Sequence, residues 1–536
     1  MPNPGSGELR STAVGTKAAP AHREPAWKAI RHVFVLMLEN RSFDHMFAFS
    51  RLPGIDAASV AQTNPGPGGG TIAFHAGAFH TGAADPMPTD PRHEFADVVE
   101  QLCGPGATYP AGGAFPPLRN TGFAINYAKT FPANPAPSDA QVAPIMAGID
   151  TRTMAPALWT LAREFVVCDR WFSSLPGPTF PNRFFLHGAS SAGLEHSPSN
   201  LDLARWELGA GFRYPRGSVF DALGPGKWRL YQDETGPIEG RIPQVAAING
   251  VEFGDVHDLS RLAGDLAGDY RWAYTFIEPN YGAMLTGHYK RGSSQHPLDT
   301  LAGGDRLIAR VYNALRASRL WEDSLLIVTY DEHGGFYDHV APDAVVPPGD
   351  FSSSGHSSGP NPEHNASGFD FARLGVRVPA VLVSPRLERG GVDHAMHDHS
   401  SVIATLGKLN GFAPLTQRDA QAHSVLELVL PTIRQDCPMT IASVPLARAP
   451  AETATASDPA HDALPVAEGS SLQGHLYVVR KAQAESRAAE QQAMVAVAPP
   501  SSAESWFHAP RTRAEARAYL DAALPALLDE RAARQT

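Results

Sequence analysis

The stretch Arg31 to Leu38, RHVFVLML, is unbroken apolar sequence after its first two residues and stops within one residue at Glu39-Asn40-Arg41-Ser42-Phe43-Asp44-His45. Its continuous hydrophobicity and β-branched content predict a strand buried on both faces, as in a parallel sheet. Polar groups just past the carboxyl end of such a strand stand where open α/β sheets place ligands. The same pattern returns along the chain. Leu307, Ile308, Val311, Tyr312 and Leu315 share one face of a helix over 303–317. Ser324 to Tyr330, SLLIVTY, then predicts a second buried strand that runs straight into Asp331-Glu332-His333-Gly334-Gly335. Upstream, a short helix at 153–163 leads to a strand from Glu164 to Cys168 and a polar turn from Ser173 to Arg183. Downstream, Ala380 to Val383 precedes His394 to His399 and a helix from about Ser401. Helix, apolar strand and polar loop in repetition predict an α/β fold, with a mostly parallel central sheet and helices on both faces.

The rest of the chain divides around that core. Residues 1–27 read as a flexible leader, and 28–435 as the catalytic domain. Residues 50–150 are loop-dominated, and 343–370 are poor in core-forming side chains, which suits a mobile loop or lid. From 436 to 536 the composition shifts to alanine, proline and serine, with one amphipathic helix near 513–532, so this region reads as a smaller appendage. Of 536 residues 43% are hydrophobic, enough for a large core, while the 18% charged content lies below the ~25% of an average chain and argues against a disordered or coiled-coil protein. A net charge of −11 disfavours a nucleic-acid binder. Three cysteines, Cys103, Cys168 and Cys437, make neither a disulfide framework nor a C-x-x-C zinc site. No apolar run approaches the ~18 residues of a membrane span. The first 27 residues hold no hydrophobic signal core and no twin arginine. The chain is therefore expected in the cytoplasm, with secretion open to it only if a leader has been removed.

Two acidic pairs carry the chemistry. Glu39-Asn40 and Asp331-Glu332 each follow a buried strand directly, and parallel neighbours would bring those strand ends together. The pairs either cap backbone amides in their loops or surround a cation. Oxygen ligation favours a hard divalent ion, calcium foremost, with magnesium and manganese also suited. Among 22 histidines, His93, His296, His333, His339 and His399 sit in polar turns, where they could donate protons around a phosphate ester or simply pack. Thr179, between Pro178 and Phe180-Pro181, reads locally as a turn residue, and Arg183 as either a phosphate clamp or an ion-pair partner. Cys168 ends an apolar run and reads as buried and inert. No G-x-S-x-G elbow, P-loop or H-E-x-x-H is present.

Glu39-Asn40-Arg41-Ser42-Phe43-Asp44-His45, Thr179-Phe180-Pro181-Asn182-Arg183 and Asp331-Glu332-His333-Gly334-Gly335-Phe336-Tyr337-Asp338-His339 together resemble the signature blocks of the phosphoesterase family. That family contains bacterial phospholipases C, plant non-specific phospholipases C and a group of acid phosphatases. The blocks keep the family's order across about residues 30–415. The resemblance implies an alkaline-phosphatase-like fold and one divalent metal ion held by Glu39, Asn40, Asp331 and Glu332. It implies that Thr179 is the hydroxyl nucleophile, phosphorylated during turnover. It also implies that His93, His296 and His399 contact phosphate or protonate the leaving group. Acid-phosphatase members tend to carry serine as nucleophile and two aspartates in the second pair, so Thr179 and Asp331-Glu332 lean toward phospholipase C. Against that, the usual glycine after the first block's aromatic residue is replaced in Phe47-Ala48-Phe49, and nothing past about 440 matches the family. The expected substrate is a phospholipid cleaved to diacylglycerol and a phosphorylated headgroup, with peripheral membrane contact. The alternatives are a broad phosphomonoesterase and a non-catalytic protein that binds an anion or lipid headgroup.

Overall fold

The computed structural model describes residues 24–77, 86–350, 364–445, 462–493 and 509–535. Eight strands form one sheet: β1 His32–Leu38, β2 Val166–Cys168, β3 Trp228–Gln232, β4 Val256–Asp258, β5 Tyr274–Glu278, β6 Ser324–Tyr330, β7 Ala380–Val383 and β8 Gly391–Asp393. Their order across the sheet is β8-β2-β7-β6-β1-β5-β3-β4. Every residue of β1 and of β6 is buried. Successive side chains on a strand point to opposite faces, so both faces at the centre must be covered. The covering comes from helices such as Pro156–Glu164, which packs on Ala302–Ala317, and Thr179–Gly188, which packs on Ser400–Asn410. The α/β class and the flanked, mostly parallel sheet expected from the sequence are what the structure has.

One strand breaks the parallel rule. β7 runs antiparallel to both β6 and β2, while the other neighbours are parallel. The central pair matters most for function. His32 lies opposite Ser324 and Leu38 opposite Tyr330, so the two strands end level with each other. Glu39 and Asp331 therefore leave the sheet side by side.

The region 50–150 is loop-rich, yet it includes the helices Phe95–Cys103 and Phe123–Ala128. Their Phe95, Val98, Leu102, Phe123 and Tyr127 join Phe336 and Tyr337 in a second apolar cluster beside the main core. The leader lies almost wholly outside the described residues, as does 351–363 within the expected lid. The lid's described ends are tied down, with the Val345 amide donating to the Ala372 carbonyl at 3.0 Å and His364 bonded to Asp202. Finally, the C-terminal region holds two long helices, Ser471–Ala493 and Arg513–Ala533. Leu472, Leu476, Tyr477, Leu520 and Leu524 belong to the same core as the sheet, so the described part of this region packs into the body of the protein. No helix among the described residues is long and apolar enough to cross a membrane.

Candidate active site

At the level ends of β1 and β6, backbone and side chains interlock. The Asn40 amide donates to Asp331 Oδ1 at 3.0 Å, and the Glu332 amide donates to the same oxygen at 2.7 Å. Asn40 Nδ2 donates to Glu332 Oε1. Asn40 turns with φ of 59°. Gly334, at φ +60°, passes so close that a Cβ there would lie 2.2 Å from the Asn40 carbonyl oxygen, so only glycine fits. Arg183 crosses beneath, donating to Asp331 Oδ2 at 3.0 Å and lying 3.9 Å from Glu278 at the end of β5.

Arg183 is on the helix Thr179–Gly188, whose first residue is Thr179. Asn182 explains how that helix is aimed. Its Nδ2 donates to the carbonyls of Gly177 (2.9 Å) and Pro178 (3.1 Å), and its Oδ1 accepts from the Leu175 amide at 3.2 Å, which fastens the preceding loop to the first turn. The Thr179 hydroxyl thus sits at a helix N-terminus, where backbone amides and the helix dipole favour an anion.

Thr179, Asn40, His93 and His296 line one cavity of about 240 Å³. The structure therefore brings four of the eight expected site residues onto its walls, and Glu39, Asp331 and Glu332 adjoin it through Asn40. His399 is the exception. It is buried, its Nδ1 accepts from the Trp171 indole at 3.4 Å, and its Nε2 donates to the Asp331 carbonyl at 2.7 Å. Both ring nitrogens are committed, so His399 braces the strand end from behind instead of facing the cavity.

The electrostatics are lopsided. Burial, with Asp331 next, pushes the Glu39 carboxyl up to about 8. Burial lifts Asp331 to about 6 although Arg183 opposes it. Glu332 goes the other way: against its burial, His93 and His333 hold it below the usual carboxylate range. Burial disfavours the His93 cation, but Glu332, Asp90 and Glu94 together raise it to about 9, so the ring is charged at neutral pH. Burial, His93 and Arg41 keep His296 well below its ordinary value and therefore neutral. The Leu298 amide donates to its Nδ1 at 3.3 Å, which leaves the ring proton on Nε2.

These residues fit a divalent cation. Glu39 Oε2 and Asn40 Oδ1 are buried without a hydrogen-bond partner among the described residues. Glu39, Asp331 and Glu332 are buried at the two strand ends, with Arg183 paired to Asp331, and together with Asn40 they offer only oxygen donors, the set a hard cation takes; their oxygens do not all lie within 4.8 Å of one another. Two other groupings of ligand-type side chains exist among the described residues. Asp44, Asp338 and His339 surround Arg377, which pairs with the two aspartates at 3.1 and 2.8 Å, so that charge is already balanced. In the second, His397 bonds Asp393 at 2.7 Å beside Cys168, whose thiol burial pushes up.

Sequence reasoning missed three contributors. Ser470 and Ser471, at the start of the helix Ser471–Ala493, line the cavity, as does Tyr289. The serines lie past the last recognised motif, and Tyr289 has no local signature.

A model of the phosphoesterase family matches residues 30–412. Non-specific phospholipase C6 of Arabidopsis thaliana is 34% identical over 467 residues, covering 83% of this chain and 81% of that protein. Non-specific phospholipase C3 of the same plant is 32% identical, with coverage of 82% and 80%. Phospholipase C B of Mycobacterium tuberculosis is 27% identical, with coverage of 74% and 76%. Among solved structures, a protein in the alkaline phosphatase superfamily from Vibrio parahaemolyticus overlaps 50% of this chain and 64% of its own, at 13% identity and a TM-score of 0.29. With most of its length matched by the family model and by full-length relatives, the chain belongs to the phosphoesterase family and is a hydrolase of phosphoric ester bonds.

Proposed function

We propose that the chain cleaves phospholipids in the manner of a phospholipase C, through a phosphothreonine at Thr179. The observation that carries this reading is Thr179 itself, at a helix N-terminus in a cavity shared with Asn40, His93 and His296. The relatives named phospholipase C support the substrate class. Glu39, Asn40, Asp331 and Glu332 would hold one divalent cation, with calcium preferred for its all-oxygen donor set. When bound, the cation lowers the pKa of the threonine hydroxyl and offsets negative charge on the phosphoryl oxygens.

The chain's own residues do the rest. Thr179 Oγ attacks phosphorus and loses its proton to solvent, while the bond from phosphorus to the diacylglycerol oxygen breaks. Charged His93 gives its proton to that oxygen, releasing diacylglycerol. His296 donates its Nε2–H to the phosphoryl group, and the amides of the helix N-terminus face the same anion. His93, now neutral, takes a proton from the water that attacks phosphorus next. That step breaks the Oγ–phosphorus bond and frees the phosphorylated headgroup, and Oγ takes a proton back from solvent to restore Thr179. Arg183 keeps Asp331 in place, and His399 fixes the carbonyl of the same residue.

A second reading is a phosphomonoesterase. It is favoured by the cavity walls, whose described residues are mostly polar and include Asp90, Arg92, Glu94, Ser470 and Ser471. Purified protein should be assayed with phosphatidylcholine vesicles and with p-nitrophenyl phosphate, alongside Thr179→Ala. Release of phosphocholine and diacylglycerol that Thr179→Ala abolishes supports the first reading. Turnover of the monoester alone supports the second, and turnover of neither ester sinks both.

A further inference from the structure

Tyr289 stands out because its backbone is in a conformation its side chain resists. Its φ is +51°, in the left-handed region, where a bulky residue is a genuine outlier. Such strain persists only where surrounding structure imposes it. Here it is imposed from both sides of a tight loop. The Ala283 amide donates to the Lys290 carbonyl at 3.0 Å, and the Tyr289 amide returns to the Ala283 carbonyl at 3.3 Å. Gly282 (φ +74°) lies against the Tyr289 carbonyl so closely that a Cβ would approach its oxygen to 2.0 Å.

The constrained loop lays the phenol ring flat on His296. The ring centroids are 3.7 Å apart and the planes differ by 17°. Ser471, at the start of the C-terminal helix, lines the same cavity as the ring. Among the described residues, polar contacts do little else to fix the plane of His296. Its Nδ1 accepts one long bond of 3.3 Å, its Nε2 lies 3.6 Å from Asp90 Oδ1, and the terminal torsion of histidine has broad minima. Without the stack, the imidazole could pivot about its Nδ1 contact and carry Nε2 away from the cavity.

We propose that Tyr289 is a positioning residue for the reaction, holding the plane of the His296 imidazole so that Nε2–H faces the phosphoryl group. This rests on the role given to His296 above. The strained loop supplies the ring's position. The effect is therefore transmitted through His296 and disappears when His296 is absent.

The test is a double-mutant comparison with p-nitrophenyl phosphate and phosphatidylcholine, using Tyr289→Leu, Tyr289→Phe, His296→Ala and the combination Tyr289→Leu/His296→Ala. Misaiming a reacting group by about 1 Å costs up to ~10²-fold in rate. Tyr289→Leu should lower kcat about 10-fold or more with KM changed far less. Tyr289→Phe keeps the flat ring and should recover most of that loss. In the His296→Ala background, Tyr289→Leu should change kcat less than about 2-fold. Equal fractional losses in both backgrounds, or a Tyr289→Phe as impaired as Tyr289→Leu, overturn the inference. A fully active His296→Ala would instead overturn the role of His296 itself. Should Tyr289→Leu fail to fold, Tyr289→Asn takes its place: asparagine tolerates the left-handed φ but brings no flat ring, so it should lower kcat only where His296 is present, and a loss independent of His296 refutes the proposal.

Discussion

Removing divalent cations should make the protein's stability fall steeply with rising pH, and adding them back should flatten the curve. Glu39 is the source. Its folded-state carboxyl is raised from 4.5 to about 8, chiefly by burial and then by Asp331. Below pH 4.5 the group is protonated in both folded and unfolded chains and has no effect. Above it the unfolded chain ionises while folded Glu39 keeps its proton, so stability drops until about pH 8. At 1.36 kcal/mol per unit, the lift amounts to ~3–5 kcal/mol lost across that window. Asp331, raised to about 6, adds loss of the same sign at the acid end, and His93, raised to about 9, adds it above pH 6.5. A cation beside Glu39 holds it ionised and removes its share. Denaturant unfolding at pH 5 and pH 8, with EDTA or with calcium, measures the four values directly. The gap between chelated and calcium-loaded protein should widen by several kcal/mol from pH 5 to 8. Glu39→Gln, neutral at every pH, should flatten the chelated curve. Parallel curves with and without calcium, or a Glu39→Gln protein with the original slope, would refute the reasoning.

Thr179→Ala should reduce turnover nearly to background while metal content by atomic emission stays at the wild-type level. Thr179→Ser should keep part of the rate, because its freed rotamer is aimed correctly less often, and acid-quenched wild type should show by mass spectrometry Thr179 joined through phosphate to choline after phosphatidylcholine, or phosphothreonine after p-nitrophenyl phosphate. Arg183→Leu leaves Asp331 and Glu278 buried without their guanidinium, so unfolding free energy should fall by ~3–5 kcal/mol; a loss under 1 kcal/mol in denaturant melts would contradict the pairing. Gly334→Ala must adopt a left-handed φ against the Asn40 carbonyl, which costs about 1–3 kcal/mol in the backbone alone and should weaken calcium binding measured by calorimetry.

What the sequence made legible was decided by burial. β1 and β6 are apolar on both faces, so they stand out against any background, and their polar endings marked the site. β3, β4 and β5 escaped notice because they carry Arg229, Gln232, His257 and Glu278 among their apolar residues. The reversed direction of β7 left no trace, since a strand buried on both sides reads alike in either sense. Helix Ser471–Ala493 is signalled weakly by Leu472, Leu476 and Val479, three and four residues apart, because the alanine-rich composition around it blurs that period. In the site, the acidic pairs were legible from their place after strands. Thr179 was not, because its meaning comes from Asn182 fastening the loop before it. The commitment of both His399 nitrogens needed Trp171 and Asp331 in three dimensions.

The central place of β1 has a consequence for how the chain is made. Val33 pairs with Tyr274, and His32 with Ser324, so this strand leaves the ribosome about 240 and 290 residues ahead of its two neighbours. At ~5–20 residues per second of synthesis, that is an interval of roughly 12–60 s. Throughout it, HVFVLML is an apolar segment with both edges and both faces open, the kind that pairs with other chains when held exposed. Yield of active protein should therefore depend on cellular holdases and on slow, cool expression more than on the finished fold's stability. Long-range parallel pairing of this kind is also slow to form after denaturation, so refolding from guanidinium should lose material to aggregation as protein concentration rises.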